Sequence, residues 1–312
     1  MDVDQREFRV GTGSGPRVAV RDYGGKGPPV LLLHGAGGNL LHWAAVVPRL
    51  AAAHRVVAMD LRGHGRSDDA PWEWERVLDD IEAVIDHCGL GSPAVVGHSL
   101  GGMLAGAWAR RHPDCPAAVS LDGHRAAETD PDHYAGLPAE RVRHDLERLR
   151  SLFTAQTATA AQPMTADQVA ALLDQQRAFA AATGIDEEEW EATVRRGIAE
   201  RDGRYFLRPG PGTTSALRAS AGFRDCLPVF AEVEAPLLVV LATRELPQVP
   251  EDLRDLVRAH RTAVRRDLAA LAAARPNVCV REIDADHGMT VMDSGEVAGP
   301  VLAFLREHAA GN

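Results

Sequence analysis

The nine residues Val95-Val96-Gly97-His98-Ser99-Leu100-Gly101-Gly102-Met103 decide how this chain is read. A short apolar run ends in Gly-x-Ser-x-Gly, and an alanine-rich helical segment, Leu104 to Arg111, follows at once. The pattern predicts a strand, a sharp turn and a helix. A serine on such a turn sits in a strained backbone conformation, so the positions two before and two after it must be small, and Gly97 and Gly101 meet that demand. The turn lifts the Ser99 hydroxyl above the strand end and points the first amides of the helix at the same place. A serine so placed can attack a carbonyl.

Outward from this elbow, strands and helices alternate. Glu7 to Val10 and Arg17 to Asp22 alternate apolar and polar residues around a glycine-rich turn, which predicts a half-exposed antiparallel hairpin at a sheet edge. Val30-Leu31-Leu32-Leu33 is uniformly apolar, as a strand buried on both faces should be, and runs into His34-Gly35-Ala36-Gly37-Gly38. That loop is too irregular for a phosphate loop and lacks a following Lys-Ser/Thr. It reads as an oxyanion hole or as an ordinary tight turn. A helix over Leu41 to Ala53, a strand over Arg55 to Met59 and the polar loop Asp60 to Asp68 follow. Val77, Leu78, Ile81, Val84 and Ile85 then fall at helical spacing between Trp72 and Cys88. Ala117 to Leu121 is another buried strand, ending in Asp122-Gly123-His124. Such alternation implies right-handed crossovers and a mostly parallel sheet.

From Arg125 to Leu227 no convincing buried strand occurs, and helical spacing dominates over Glu140 to Phe153, Ala166 to Thr183 and Asp186 to Arg201. This predicts a helical cap, residues 125–227, inserted into a core formed by 1–124 and 228–312. Phe179, Trp190, Tyr205 and Phe206 are placed either in the cap's own core or on an apolar wall over a pocket. Alternation resumes with Pro236 to Leu241, an amphipathic segment from Glu251 to Ala274 whose arginine-rich face reads as solvated surface, and Val278 to Ile283. Asp284 to Met289 follow, and Glu296 to His308 closes the chain as a helix.

Composition bounds the function. The chain has 312 residues, 45% of them hydrophobic and 25% charged, with a formal net charge of −10. That balance disfavours a nucleic-acid surface, which needs clustered Lys and Arg. Cys88, Cys115, Cys226 and Cys279 are far apart without CxxC pairing, so they read as inert thiols in a reducing compartment rather than as a zinc or redox site. No signal-like segment and no run of 18 apolar residues occurs, which predicts a cytoplasmic protein away from membranes. Gly11-Thr12-Gly13 precedes no helix, so no dinucleotide fingerprint or metal cluster argues for a cofactor. A homo-oligomer is compatible with the sequence and not specified by it.

With these segments placed, the chain resembles the α/β-hydrolase superfamily over nearly its whole length. Four matches carry the resemblance: His34-Gly35, the Asp60-Leu61-Arg62-Gly63-His64-Gly65-Arg66-Ser67 loop, the Ser99 elbow, and Asp286-His287-Gly288 after the last strand. The resemblance implies a mostly parallel eight-stranded α/β sheet flanked by helices, with an inserted helical cap. It also implies that Ser99 is the nucleophile, that His287 is the general base, and that the backbone amides of Ala36 and Leu100 hold the oxyanion. His34, Arg62 and His64 are expected to order loops. For the triad acid the fold offers two strand ends, carrying Asp122 and Glu245. Asp122 is preferred, because the segment after Glu245 departs from the family pattern with Pro247, Pro250 and an unusually long helix.

The implied function is a cofactor-free serine hydrolase cleaving an ester, thioester or lactone of a small, largely apolar substrate through an acyl-enzyme. Serine at this position speaks against the haloalkane dehalogenase and epoxide hydrolase branches, which need a carboxylate nucleophile. Two alternatives stand beside it: a carbon–carbon bond hydrolase or lyase using the same triad, and a non-catalytic protein that holds a small ligand in the capped pocket.

Overall fold

Strands that are apolar at every position become the centre of one sheet. The computed structural model describes residues 6–244 and 249–309, so Glu245, the alternative triad acid, lies outside the described residues. Among the described residues ten strands form: β1 (Arg6–Gly11), β2 (Arg17–Gly24), β3 (Pro29–Leu33), β4 (Arg55–Met59), β5 (Ala94–His98), β6 (Ala118–Leu121), β7 (Ile198–Arg201), β8 (Arg204–Leu207), β9 (Leu237–Ala242) and β10 (Val278–Ile283). Eight make the main sheet in the order β1-β2-β4-β3-β5-β6-β9-β10. β2 runs antiparallel to β1 and β4, and every pairing from β4 to β10 is parallel. The predicted edge hairpin is therefore present, with Glu7 opposite Arg21.

The two-residue period of each strand divides its side chains between two cores. Leu31, Leu33, Val57, Met59, Val95 and Val239 face one way, onto α2 (Trp74–His87), α3 (Leu100–Arg111), α9 (Leu227–Glu232) and α10 (Arg254–Ala274). Val30, Leu32, Val56, Ala58, Val96 and Val240 face the other way, onto α1 (Val47–Ala51) and α11 (Ser294–His308). Burial on both faces explains why these runs lack the polar alternation seen in β1. The helix expected from Leu41 to Ala53 is instead a 3-10 turn, Leu40–Trp43, followed by α1, which starts with Pro48 in its first turn. Proline is tolerated there and not deeper in a helix.

Between β6 and β9 the chain leaves the sheet and forms α4 (Ala139–Ala160), α5 (Ala166–Thr183), α6 (Glu187–Arg196), α7 (Pro211–Ala219) and α8 (Ala221–Arg224). Tyr134, Val142, Leu146 and Leu149 pack against Leu253, Leu256 and Ala259, laying α4 over α10. One expectation is corrected here. The helix read through Arg201 stops at Arg196, and β7 and β8 form an antiparallel hairpin closed by Asp202-Gly203, both at positive φ. A two-residue turn of that type matches the twist of paired strands, and it overrides the weak helical spacing of Ile198. No helix among the described residues is long and apolar enough to cross a membrane. Cys88, Cys115, Cys226 and Cys279 are all free thiols.

The elbow is sterically exact. An added Cβ on Gly97 would lie 1.9 Å from the Gly101 carbonyl oxygen, and one on Gly101 would lie 2.1 Å from that of Leu33. Both obstacles are backbone atoms of buried elements and cannot swing away. Gly101→Ala should cost about 3 kcal/mol or more of stability, read as a lower urea midpoint. A variant that unfolds at the wild-type midpoint would overturn this account of the turn.

Candidate active site

The site is assembled at the carboxyl ends of β5, β6 and β9 and the loop after β10. Ser99 ends β5 and begins α3 with φ 52° and ψ −117°, a conformation that non-glycine residues rarely hold. Its carbonyl accepts from the Met103 amide, so α3 starts at the next residue, and the Leu100 amide belongs to the helix's first, internally unpartnered turn. Asp122 follows β6, also at positive φ, with a value of 50°.

These residues converge. His287 Nδ1 lies 2.7 Å from Asp122 Oδ2, and His287 Nε2 lies 3.1 Å from Ser99 Oγ. An ionised Asp122 is acceptor-only, so Nδ1 carries the proton and Nε2 presents a lone pair to the serine hydroxyl, which donates to it. Asp122 Oδ1 also accepts from the Ala242 amide at 3.1 Å. His124 Nε2 stands 3.5 Å from the same oxygen. His124 Nδ1 accepts the Arg125 amide, which leaves the His124 proton on Nε2, facing Asp122.

The electrostatics follow from this packing. Burial pushes the Asp122 carboxyl up, but hydrogen bonds and charge from His124 and His287 outweigh it and hold it well below the usual carboxylate range. Burial pulls His287 down, yet the hydrogen bond and charge of Asp122 outweigh it, so the imidazole titrates above 6.5. Only neutral imidazole can accept the serine proton. Turnover should therefore rise with pH through a midpoint above 6.5, and a pH profile of kcat/KM whose acid limb falls below 6.5 would contradict the assignment.

Two further histidines fix the frame. His98 Nε2 donates to the His287 carbonyl at 2.7 Å, tying the residue before the serine to the loop that carries His287. Burial pushes His98 down to about 3, so its ring is neutral. His34 Nε2 accepts from the Leu61 amide, and its Nδ1 donates to the Gly35 carbonyl, joining the loops after β3 and β4. Arg62 pairs with buried Asp80, and His64 Nδ1 bonds the Arg62 carbonyl. All three residues expected to order loops make such loop contacts. Asp60 anchors the same region, accepting from the Leu40 and Arg66 amides and from Arg196 of α6.

A cavity of about 430 Å³ opens above Ser99, within the range of small-molecule sites. Ala36, Ser99, Asp122 and His287 line its floor. Its walls are mainly apolar, with Met103, Phe153, Leu217, Phe223, Val257 and Val264 prominent. Ala36 lies in the tight turn closed by the Gly38 amide and the Gly35 carbonyl, a bond that does not use the Ala36 amide. The turn crosses close to Ser99, since a Cβ on Gly35 would meet Ser99 Cβ at 3.2 Å.

Of the two places that the sequence left open for Phe179, Trp190, Tyr205 and Phe206, the pocket wall is not the one they take. Phe179 and Trp190 pack on each other, and Trp190 stacks on His42. Phe206 lies under Arg201. With Tyr205, these residues belong to the outer layer of α5, α6, β7 and β8, and none of them lines the cavity; Phe153 and Phe223 do. The arginine-rich face of α10 is likewise not all solvated surface, because Arg261 and Arg265 lie on the cavity wall. His124 and Arg261 are the site residues that pattern reading passed over. Their signals were a histidine two residues after a strand-end aspartate and an arginine on a helix facing the sheet. Among the described residues, no group of three or more His, Cys, Asp and Glu side chains is arranged to hold a metal ion.

A family model for the alpha/beta hydrolase fold matches residues 28–212. The chain is 39% identical over 105 residues to a fluoroacetate dehalogenase of Burkholderia sp., covering 31% of this chain and 34% of that protein. It is 36% identical over 116 residues to a 2-hydroxymuconate semialdehyde hydrolase of Pseudomonas sp. (strain CF600), covering 35% and 41%. The matched region thus spans well under half the length of these relatives. The thioesterase domain from the curacin biosynthetic pathway superposes with a TM-score of 0.64 over 96% of this chain and 99% of that one. At 20% identity, that likeness speaks to the fold.

Proposed function

The chain belongs to the alpha/beta hydrolase fold family, and from that premise we propose that it is a serine hydrolase cleaving an ester, thioester or lactone of a small substrate. The observation that carries this reading is the Asp122–His287–Ser99 relay, with contacts of 2.7 and 3.1 Å, at the floor of the cavity. His287 Nε2 takes the Ser99 proton as Oγ adds to the carbonyl carbon. The resulting oxyanion is received by the amides of Ala36 and Leu100 beside the α3 N-terminus. His287 then returns the proton to the leaving group as the carbon–heteroatom bond breaks, leaving an acyl-enzyme. Water enters, loses a proton to His287, and releases the acid and free Ser99. Residues 125–227 act as the cap that shapes the cavity and excludes water.

Serine suits carbonyl chemistry and not displacement at saturated carbon. An alkyl group transferred to Oγ would form an ether, which water does not cleave under these conditions. A dehalogenase or epoxide-opening activity is therefore disfavoured, despite the sequence similarity to a fluoroacetate dehalogenase. Similarity to the semialdehyde hydrolase favours, as a second reading, hydrolysis of a carbon–carbon bond next to a ketone by the same three residues. The intact relay disfavours a protein that only holds a ligand.

Intact-mass analysis after fluorophosphonate treatment tests the reading without guessing a substrate. We expect one adduct per chain in the wild type and none in Ser99→Ala. No adduct in the wild type would refute the activated serine. Turnover of ketone substrates with no turnover of any ester, thioester or lactone would select the second reading.

A further inference from the structure

The cavity wall carries an excess of positive charge in a chain of net charge −10: five arginines line it, against the carboxylates of Asp122 and Glu128. Four of the five face carboxylates. Arg125 pairs with Asp225 and Asp267, Arg218 with Glu128, Arg244 with Asp293, and Arg265 with Glu282. Arg261 faces none among the described residues. Its two terminal nitrogens donate to the carbonyls of Arg244, at 2.8 Å, and Ala242, at 2.5 Å, where β9 ends.

Those two bonds hold the guanidinium in place without neutralising it. A guanidinium has five N–H donors in a planar fork, so three remain for a ligand. The side chain is half-buried beside an apolar cavity, where an uncompensated cation is poorly solvated. Its field also reaches the catalytic histidine, pulling against the rise that Asp122 produces. Arg261 is therefore within electrostatic reach of the reacting groups. A single unmatched cation fits one negative charge, and a planar fork fits a carboxylate.

We propose that Arg261 is a specificity-determining residue that receives a substrate carboxylate, and that the substrates are half-esters or monothioesters of short dicarboxylic acids. The apolar walls hold the methylene chain and leaving group, while Arg261 holds the ionised end. The position of the ester group rests on the serine-hydrolase reading, whereas the seat for the anion does not. The alternative is that Arg261 only caps the carbonyls at the end of β9.

The test is calorimetric titration of Ser99→Ala with ethyl hydrogen glutarate and with ethyl butyrate. The half-ester should bind at least about tenfold tighter, and Arg261→Gln in the same background should weaken its binding by about 10–100-fold while leaving ethyl butyrate affinity little changed. Arg261→Lys should restore part of the loss, since it keeps the charge but not the fork. Melting curves establish that the variants are folded. If Arg261→Gln does not fold, added sodium chloride on Ser99→Ala alone should weaken the half-ester and not ethyl butyrate. Equal affinities for the two esters, half-ester affinity retained in folded Arg261→Gln, or salt-insensitive half-ester binding would each overturn the proposal. Half-ester binding with no fluorophosphonate adduct on the wild type would keep the anion seat and defeat the hydrolase reading; an adduct without half-ester preference would do the reverse.

Discussion

Replacing Ser99 by alanine should lower kcat about a millionfold, and His287→Ala should cost nearly as much. The double variant Ser99→Ala/His287→Ala should then be no worse than either single one. The reason lies in the 3.1 Å contact between His287 Nε2 and Ser99 Oγ. In the proposed relay the histidine acts on the substrate only through the serine proton, and the hydroxyl is a weak nucleophile without a base to take that proton. Removing either partner removes the same step, so their costs do not add. Residual turnover would come from the amides of Ala36 and Leu100 and from substrate binding, none of which is touched. Single-turnover rates on one activated ester measure the comparison. Additive losses in the double variant would show that the two side chains act in separate steps, and the proposed relay would fall.

What the sequence made readable follows from how strongly each feature is constrained. The elbow was legible because the backbone at Ser99 permits only small residues at Gly97 and Gly101, and sterics of that kind leave a motif. The central strands were legible because burial on both faces permits only apolar side chains, as Leu31, Leu32 and Leu33 show. The β7–β8 hairpin was not read, although Asp202-Gly203 is a hairpin turn signal, because its strands are short and half-exposed and Ile198 also fits the helical spacing of α6. Arg261 was invisible for a different reason. Periodicity assigns a face to a helix but not the element that covers it, and it is α4, laid over α10, that helps turn part of an arginine-rich face into a cavity wall. The aromatic residues Phe179, Trp190, Tyr205 and Phe206 could be given no single home from sequence, because the partners that decide it, such as His42 for Trp190, are distant in sequence.

The acid is where sequence left two answers, and the expected result is unequal: Asp122→Asn should lower kcat about ten-thousandfold, and Glu245→Gln should change it little. His287 Nδ1 bears one proton, and Asp122 Oδ2 takes it at 2.7 Å. A second carboxylate has no orienting bond left to accept. Asp122 is also held for the task by the Ala242 amide and by His124. Asparagine keeps the size but presents either an uncharged oxygen or an N–H to the imidazole. In the first case the imidazolium formed during attack loses its counter-charge; in the second the tautomer is reversed, and Nε2 can no longer accept from Ser99. The pH profile adds a readout that misfolding would not produce. Asp122 is what raises His287 above 6.5 against burial, so without that charge burial prevails and the acid limb of the residual activity should move to lower pH. A large loss in Glu245→Gln together with an unshifted acid limb in Asp122→Asn would assign the acid to the other strand end.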